Sequence, residues 1–376
     1  MSDLGVGIIG CGNISTAYLR LAPLFKGLEI KAVADLNMEA AEAQAKAFNV
    51  KAQTVEDLLA NDDLDVIVNL TIPAAHFPIS KQILEAGKHV YSEKPLVLTL
   101  EEGEELRALS EAKNLRVGCA PDTFLGAAHQ LARARIDEGL IGDVTAGTCH
   151  VMNHGPEGWH PNPDFFFDVG AGPILDIGPY YVANLINLLG PVKRVGALTS
   201  SASKTRPIGS GPRKGETVPV KTPTNIHALM EFENGATITI SSSWDVWAHK
   251  HGHTELYGTE GSMFIPDPNF FGGDIEAADR SGDIKTLDAW AHPFGVPNDE
   301  HKNGMMANYR TAGLADMAVA ITEGRDHRCS LDRTLHGVDV MTSILKSGET
   351  GTFVDLTTTC TRPEALGIAE AQALLR

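Results

Sequence analysis

Cysteine is scarce in this chain. Only five of its 376 residues are cysteine, and Cys11, Cys119, Cys149, Cys329 and Cys360 lie scattered through it. No two have the spacing of a metal site or a redox dithiol, and the odd count suits reduced thiols. A disulfide-stapled scaffold is therefore excluded, and a reducing, cytoplasmic compartment is expected. No uninterrupted apolar run approaches the roughly 20 residues of a membrane-spanning helix. The opening MSDLGVGIIG has no basic n-region and carries Asp3 where the apolar core of a signal peptide would need none. Basic residues are outnumbered, 31 Lys and Arg against 48 Asp and Glu, giving a net charge of −17. A surface that acidic repels phosphate backbones and anionic lipids, which argues against nucleic-acid and membrane partners.

The remaining composition, 43% apolar and 21% charged, is that of a soluble globular protein without repeats or low-complexity tracts. The length exceeds what one hydrophobic core normally uses, so two domains are expected. Through the first 120 residues strand and helix patterns alternate: apolar runs at Leu4 to Ile9, Glu29 to Ala34, Val66 to Leu70 and His89 to Ser92, separated by helix-forming stretches. Near-continuous apolar strands alternating with helices predict a parallel sheet covered on both faces.

The first strand runs into Gly10-Cys11-Gly12-Asn13-Ile14-Ser15. A Gly-x-Gly alone is weak, since glycine turns are common in plain loops. Here it follows a strand, opens a helix, and is followed by Asp35 at the end of the next strand. That context predicts a dinucleotide site: Gly10 for the tight turn, Gly12 for close approach to a pyrophosphate, and the helix N-terminus for its charge. A carboxylate at Asp35 accepts ribose hydroxyls and repels a 2′-phosphate, and Leu36, Asn37 and Met38 offer no cation for that phosphate. NAD is expected over NADP.

Two further stretches, Thr71-Ile72-Pro73-Ala74-Ala75-His76 and Ala86-Gly87-Lys88-His89-Val90-Tyr91-Ser92-Glu93-Lys94-Pro95, complete a pattern with the glycine loop. Together they resemble the Gfo/Idh/MocA oxidoreductases, named for glucose–fructose oxidoreductase, inositol dehydrogenase and a rhizopine catabolism protein. The likeness covers nearly the whole chain and is most specific in the Pro-x-x-His and Glu-Lys-Pro pieces. It implies an α/β protein: an N-terminal Rossmann domain over residues 1–120, then an α/β domain over 121–376 with a large, mostly antiparallel open sheet. It further implies a nicotinamide cofactor, which Asp35 makes NAD, a sugar or polyol substrate, and a homodimer or homotetramer through that sheet. Cofactor contacts fall on Gly10, Gly12, Asn13, Ile14, Asp35, Thr71, Pro73, His76, Glu93 and Lys94. Lys94 matches the family's active-site lysine; it would hydrogen-bond the substrate hydroxyl, and a cis bond is usual before the proline that follows it.

From Phe165 the chain reads FFFDVGAGPILDIGPYYVANLINLLGPV. This matches the family's Asp-x-x-x-His with Asp176 at the first position, but Tyr180 replaces histidine at the second. The spacing puts both on one face of a continuous helix. Pro179 would clash inside such a helix, so a kink, or a start near Gly178, is expected. Histidine ordinarily titrates near ~6.5 and tyrosine near ~10, although a lysine ammonium and a cationic nicotinamide would favour phenolate. Tyr180 as general base, Tyr180 as a pocket wall with Lys94 moving the proton, and a site without turnover are all open. Asp176 is a catalytic or orienting candidate, with a helix cap as its alternative.

Asp122, in the turn before a helical pattern over 121–140, is a candidate hydroxyl ligand. In the Gly/Pro-rich loop 153–164, His154, Trp159 and His160 are candidate substrate contacts, because an aromatic face with hydrogen-bonding neighbours suits a sugar ring. Residues 202–224 read as a long connection or hairpin arm. His249, His251 and His253 would share a strand face if the strand before them continues; without acidic or cysteine ligands they are expected to be an exposed or subunit-facing row, and no metal is expected. Residues 304–323, about 331–347 and 363–375 read as helices. The composite reading is an NAD-dependent sugar, glycoside or cyclitol dehydrogenase. An NAD-binding regulator without turnover, or a lyase, epimerase or glycosidase using transient oxidation, are the alternatives.

Overall fold

The computed structural model describes residues 3–302 and 304–376. The chain forms two compact units. One holds the residues up to Gln130, Trp290–Val338 and Pro363–Arg376; the other holds Leu131–Ala289 and Asp339–Arg362. Both are discontinuous in sequence, whereas the expected linear division near residue 120 sends the chain across once.

The first unit begins β1 (Leu4–Ile9), α1 (Asn13–Leu21), β2 (Leu28–Ala34), α2 (Met38–Phe48), β3 (Lys51–Gln53), α3 (Val55–Leu59), β4 (Val66–Asn69), α4 (Pro73–Glu85), β5 (His89–Ser92), α5 (Leu100–Lys113) and β6 (Val117–Cys119). All six strands are parallel, in the order β3-β2-β1-β4-β5-β6. That order reverses between β1 and β4, the switch point at which doubly wound sheets open a crevice beyond their carboxyl ends. Val66, Ile67, Val68 and Asn69 are all buried, as a strand covered on both faces requires. Local chemistry sets the helix ends. Thr99 and Glu102 form a capping box on α5, and Asn49 and Asn114 close α2 and α5 in the left-handed conformation.

After α6 (Ala127–Asp137) come β7 (Val144–Met152), α7 (Pro173–Asp176), α8 (Gly178–Leu189), β8 (Val192–Ser200), β9 (Thr205–Pro207), β10 (Thr217–Pro219), β11 (Asn225–Phe232), β12 (Thr237–Ser243), β13 (Thr254–Gly258), β14 (Gly261–Ile265), β15 (Glu276–Asp279) and β16 (Lys285–Thr286). The helical pattern read over 121–140 is split: a 3-10 turn at Thr123–Leu125 precedes α6. β9 and β10 pair as the arm expected in 202–224.

The last stretch holds β17 (Asp299–His301), β18 (Gly304–Met306), α9 (Ala312–Glu323), α10 (Leu331–Thr350), β19 (Val354–Asp355) and α11 (Ile368–Leu374). β19 completes a nine-stranded sheet, β16-β15-β14-β13-β7-β12-β11-β8-β19. Every neighbouring pair is antiparallel except β7 with β12. The expected helix over 304–323 begins only at Ala312. Ahead of it, Asn298 and Asn308 exchange side-chain and backbone hydrogen bonds at 2.7 and 2.9 Å, a competing bond set that keeps the segment out of the helix. Asn303, just before that expected helix, lies outside the described residues. Among the described residues no helix is long and apolar enough to cross a membrane.

The returning segment is fastened through Asp316 on α9. Its fully buried carboxylate takes Arg325 at 2.9 Å, Arg328 at 2.6 Å and the Arg328 backbone N–H at 2.7 Å. Asp316→Ala removes the buried counter-charge of Arg328, whose guanidinium keeps the Glu364 and Ala365 carbonyls as acceptors, and a loss of about 3 kcal/mol is expected, read as a lower urea midpoint with an unchanged slope.

Candidate active site

In the first unit, the crevice starts where β1 leaves the sheet. Gly10 has φ +104°, and a β-carbon on it would stand 2.5 Å from the Leu70 carbonyl oxygen. Glycine is thus required twice, for conformation and for space. Gly12 differs: its φ is −75°, and no protein atom lies within 4 Å of where its β-carbon would be. Nothing inside the protein demands glycine there, and a side chain would only fill the space at the start of α1. That helix begins without a side-chain cap and without an acidic residue in its first turn. Its N–H groups and positive dipole end are therefore left for an anion.

Asp35 is held over the same loop. One carboxylate oxygen accepts the Cys11 N–H at 2.7 Å and the other the Asn37 N–H at 2.8 Å. Each oxygen keeps a lone pair for a further donor. Leu36 and Ile72, at the ends of β2 and β4, are 98% and 68% exposed. This cradle fits a dinucleotide: bared N–H groups for phosphates, a fixed carboxylate for a ribose diol, and apolar side chains for a flat base.

Asn69, which sequence reasoning passed over, organises the next turn from inside β4. Its Oδ1 accepts the Thr71 hydroxyl at 2.7 Å, and its amide donates to the His76 carbonyl at 3.0 Å and to Ser80 Oγ at 3.1 Å. The signal was an amide at the end of the apolar run VIVNL. His76 is almost fully buried, with Nδ1 2.5 Å from the Pro95 carbonyl and Nε2 3.0 Å from that of Thr71. Burial pushes its pKa down, against the two carbonyls. The ring thus fastens the start of α4 to the residue after Lys94. The Lys94–Pro95 bond is cis, and Glu93 N–H donates to the Asn69 carbonyl at 2.9 Å. The structure therefore gathers Gly10, Gly12, Asp35, Thr71, Glu93 and Lys94 around the carboxyl ends of β1, β2, β4 and β5.

Asp122 has other partners. It is buried, and one oxygen accepts the N–H groups of Thr311 and Gly313, both at 3.0 Å, at the start of α9. Burial raises its pKa to about 6, against those two donors and Arg310.

In the second unit, α7 ends at Asp176 and α8 starts at Gly178 with Pro179 in its first turn, as the proline demands. The break falls between Asp176 and Tyr180, so the one-face argument for a continuous helix does not hold. Tyr180 is buried, at 9% exposure. In the preceding loop, His154 stacks on Trp247 with centroids 3.3 Å apart, and His160 meets Trp159, Phe165 and Phe166 edge-on. Phe166 accepts the Gly172 N–H at 3.0 Å, at the entry to α7. Arg206 holds these loops. Its buried guanidinium binds Glu157 at 3.0 Å, the Trp244 carbonyl at 3.0 Å and the Asp245 carboxylate. No local pattern announces Arg206, because its partners lie 38 to 49 residues away.

The histidine row lies before β13 rather than within a strand. His251 stacks on His150, while His253 bonds the Tyr181 hydroxyl at 2.9 Å. Among the described residues no three His, Cys, Asp or Glu side chains are grouped to hold a metal ion.

A doubly wound sheet with an open glycine cradle and a carboxylate held over it defines a dinucleotide-binding protein. The model of the oxidoreductase family with an NAD-binding Rossmann fold matches residues 4–120, and the GFO/IDH/MocA C-terminal domain matches residues 129–264. The chain belongs to the Gfo/Idh/MocA family of NAD-binding oxidoreductases. It is 28% identical over 332 residues to levoglucosan dehydrogenase of Pseudarthrobacter phenanthrenivorans, covering 78% of this chain and 83% of that one. It is 30% identical to the dTDP-3,4-didehydro-2,6-dideoxy-alpha-D-glucose 3-reductase of Saccharopolyspora spinosa, covering 69% of this chain and 74% of that one. The solved structure of levoglucosan dehydrogenase with NADH and L-sorbose shares the fold at a TM-score of 0.79 and 23% identity, over 95% of this chain and 100% of that chain.

The Asp122 geometry sets a pH dependence. A carboxyl raised to about 6 on folding, against ~3.9 when unfolded, stabilises the fold at low pH and loses that contribution as pH rises through 6. Asp122→Asn keeps an acceptor for both N–H groups and removes the buried charge. Its stability relative to the parent should therefore rise from pH 5 to pH 7.5 by about 1 kcal/mol, measured by urea denaturation at both pH values.

Proposed function

We propose that the protein is an NAD-dependent dehydrogenase that exchanges hydride between the nicotinamide and a secondary alcohol of a sugar, glycoside or cyclitol. The observation that carries this is the cradle at Gly10, Gly12 and Asp35 beside the Glu93–Lys94 segment. The sugar substrates in the relatives' names support the substrate class.

The N–H groups over Gly10 to Ile14, Asn13 included, receive the pyrophosphate. Asp35 accepts the ribose hydroxyls and disfavours a 2′-phosphate. Leu36 and Ile72 flank the adenine, and Thr71, Pro73, His76 and Glu93 shape the wall leading to the nicotinamide. A bound nicotinamide would supply the hydride acceptor for the carbinol carbon. The Lys94 ammonium donates to the substrate oxygen and stabilises it as the proton leaves. Tyr180, entering the step as phenolate, receives that proton as general base, and Asp176 orients the hydroxyl. Asp122, already engaged at α9, has one oxygen left for a hydroxyl, while His154, Trp159 and His160 receive the sugar ring. A homodimer or homotetramer forms through the nine-stranded sheet, supported by exposed Leu198, Leu229 and Phe353. A cytoplasmic setting is supported by cysteines that are all free thiols.

A panel of polyols, monosaccharides and glycosides with NAD, followed by NADH absorbance, tests the reading. Lys94→Ala should lower kcat by at least ~100-fold while NAD affinity stays within a few-fold. Tyr180→Phe should lower kcat by roughly tenfold or more; retention of most of it reassigns the base to Lys94. Tyrosine in the histidine position favours one second reading, a regulator that binds NAD without turnover, which NAD binding with no product across the panel would identify. Product formed without net NADH would identify transient oxidation instead. In a parallel titration NAD should bind at least tenfold more tightly than NADP, and comparable affinities overturn the role given to Asp35.

A further inference from the structure

The Glu93 carboxylate has protein partners on both oxygens. Oε1 accepts the Tyr18 hydroxyl at 3.1 Å, and Oε2 accepts the backbone N–H of Lys94 at 3.1 Å. Tyr18 belongs to α1, the helix whose open N-terminus faces the cradle, and it is 2% exposed. We infer that Tyr18 is a positioning residue for the reaction: through Glu93 it fixes the backbone of Lys94 and ties that lysine to the dinucleotide-binding helix. The inference rests on the role proposed for Lys94.

Three features carry it. First, the hydroxyl is a dependable donor. Burial, with the Glu93 and Asp122 carboxylates nearby, holds the Tyr18 phenol in its neutral form well above its ordinary titration range. Second, the Lys94 N–H is a consequential handle. Pro95 has no N–H, so between these two residues the backbone offers one donor, and that donor is given to a carboxylate, a stronger acceptor than a neutral carbonyl. Third, the flanking atoms are already fastened. Glu93 N–H donates to the Asn69 carbonyl at 2.9 Å, the Glu93 carbonyl accepts Ser92 Oγ at 3.0 Å, and the Pro95 carbonyl lies 2.5 Å from His76 Nδ1. Those contacts anchor the segment to β4 and α4. The Tyr18–Glu93 link is the one described here that adds α1.

A purely packing role for Tyr18 is answered by the hydroxyl itself. Phenylalanine would fill the same volume, and burying a phenol costs stability unless its hydroxyl is bonded. What the oxygen adds is an orientation for the Glu93 carboxylate. Without it, that carboxylate regains rotamers that release the Lys94 N–H. The lysine, which must be held near its productive geometry to contribute fully, would then be positioned without reference to α1.

The test uses the full chain with Tyr18→Phe, Glu93→Leu and the double variant. Amide hydrogen exchange at Lys94, NAD affinity by calorimetry, and steady-state kinetics on levoglucosan, D-glucose and myo-inositol are measured for each. Tyr18→Phe should speed exchange at the Lys94 amide at least tenfold while the β1 and β4 amides stay protected. It should lower kcat about tenfold, leaving the sugar KM and the NAD Kd within threefold. The double variant should resemble the Glu93→Leu single, because both changes cut the same link. Unchanged Lys94 exchange in a folded Tyr18→Phe protein overturns the inference, as does a rise spread evenly over the whole first unit. If Tyr18→Phe does not fold, Glu93→Leu carries the same exchange test. If none of the three sugars is turned over, the exchange result alone decides the link. If Lys94→Ala keeps full turnover while the exchange coupling is seen, the role of the lysine fails and the link stands.

Discussion

Between Gly10 and the Leu70 carbonyl there is no room for a β-carbon, and much of the first unit depends on that approach. It lets β1 and β4 run side by side to their carboxyl ends and turns the chain sharply into α1. The helix N-terminus then points where no side chain intrudes. Asp35 reaches the same loop by accepting the Cys11 N–H, so the acid and the glycine turn are set relative to each other. A larger residue at position 10 would displace the turn, the helix start and the carboxylate together.

The net charge of −17 makes this local arrangement necessary. An anionic dinucleotide gains nothing from an acidic protein at long range, so its phosphates must be met by backbone N–H groups and a helix dipole. Many carboxylates, meanwhile, serve inside the protein as acceptors. Asp122 holds the start of α9 and Asp316 gathers Arg325 and Arg328. Asp339 takes the N–H and hydroxyl groups of Thr357 and Thr358, and Glu93 joins Tyr18 to Lys94. The acidity is thus partly architectural.

Much of the first unit was legible in the sequence. The apolar runs, the glycine loop and Asp35 lie within strand–turn–helix units, where each residue's neighbours are its near neighbours in sequence. The strands of the second unit were legible in part, because alternation marks a half-buried strand such as β11. Pro179 correctly announced a break before α8. The helix expected over 304–323 failed at its front, since apolar spacing carries no information about the Asn298–Asn308 exchange that claims the backbone. The strand before the histidine row ends at Ser243 and does not continue through it, and the three histidines are exposed; His251 and His253 meet different partners, His150 and Tyr181. The return of Trp290–Val338 to the first unit was not legible at all.

Periodicity, turn residues and the spacing of Gly10, Gly12 and Asp35 determined by themselves that the chain begins with a parallel α/β sheet built for a dinucleotide. The resemblance to the Gfo/Idh/MocA family, rather than pattern or spacing, marked Glu93-Lys94-Pro95 as a segment with chemistry. Only the tertiary structure decided which carboxylates are committed to the protein, which loops Arg206 holds together, and that Tyr18 answers to Glu93. The reason is range. A strand or a helix cap is settled by atoms a few residues apart, whereas Tyr18 and Glu93 are 75 residues apart and Asp122 and Thr311 are 189. Such pairs come within hydrogen-bonding distance only after the sheet and its covering helices have packed.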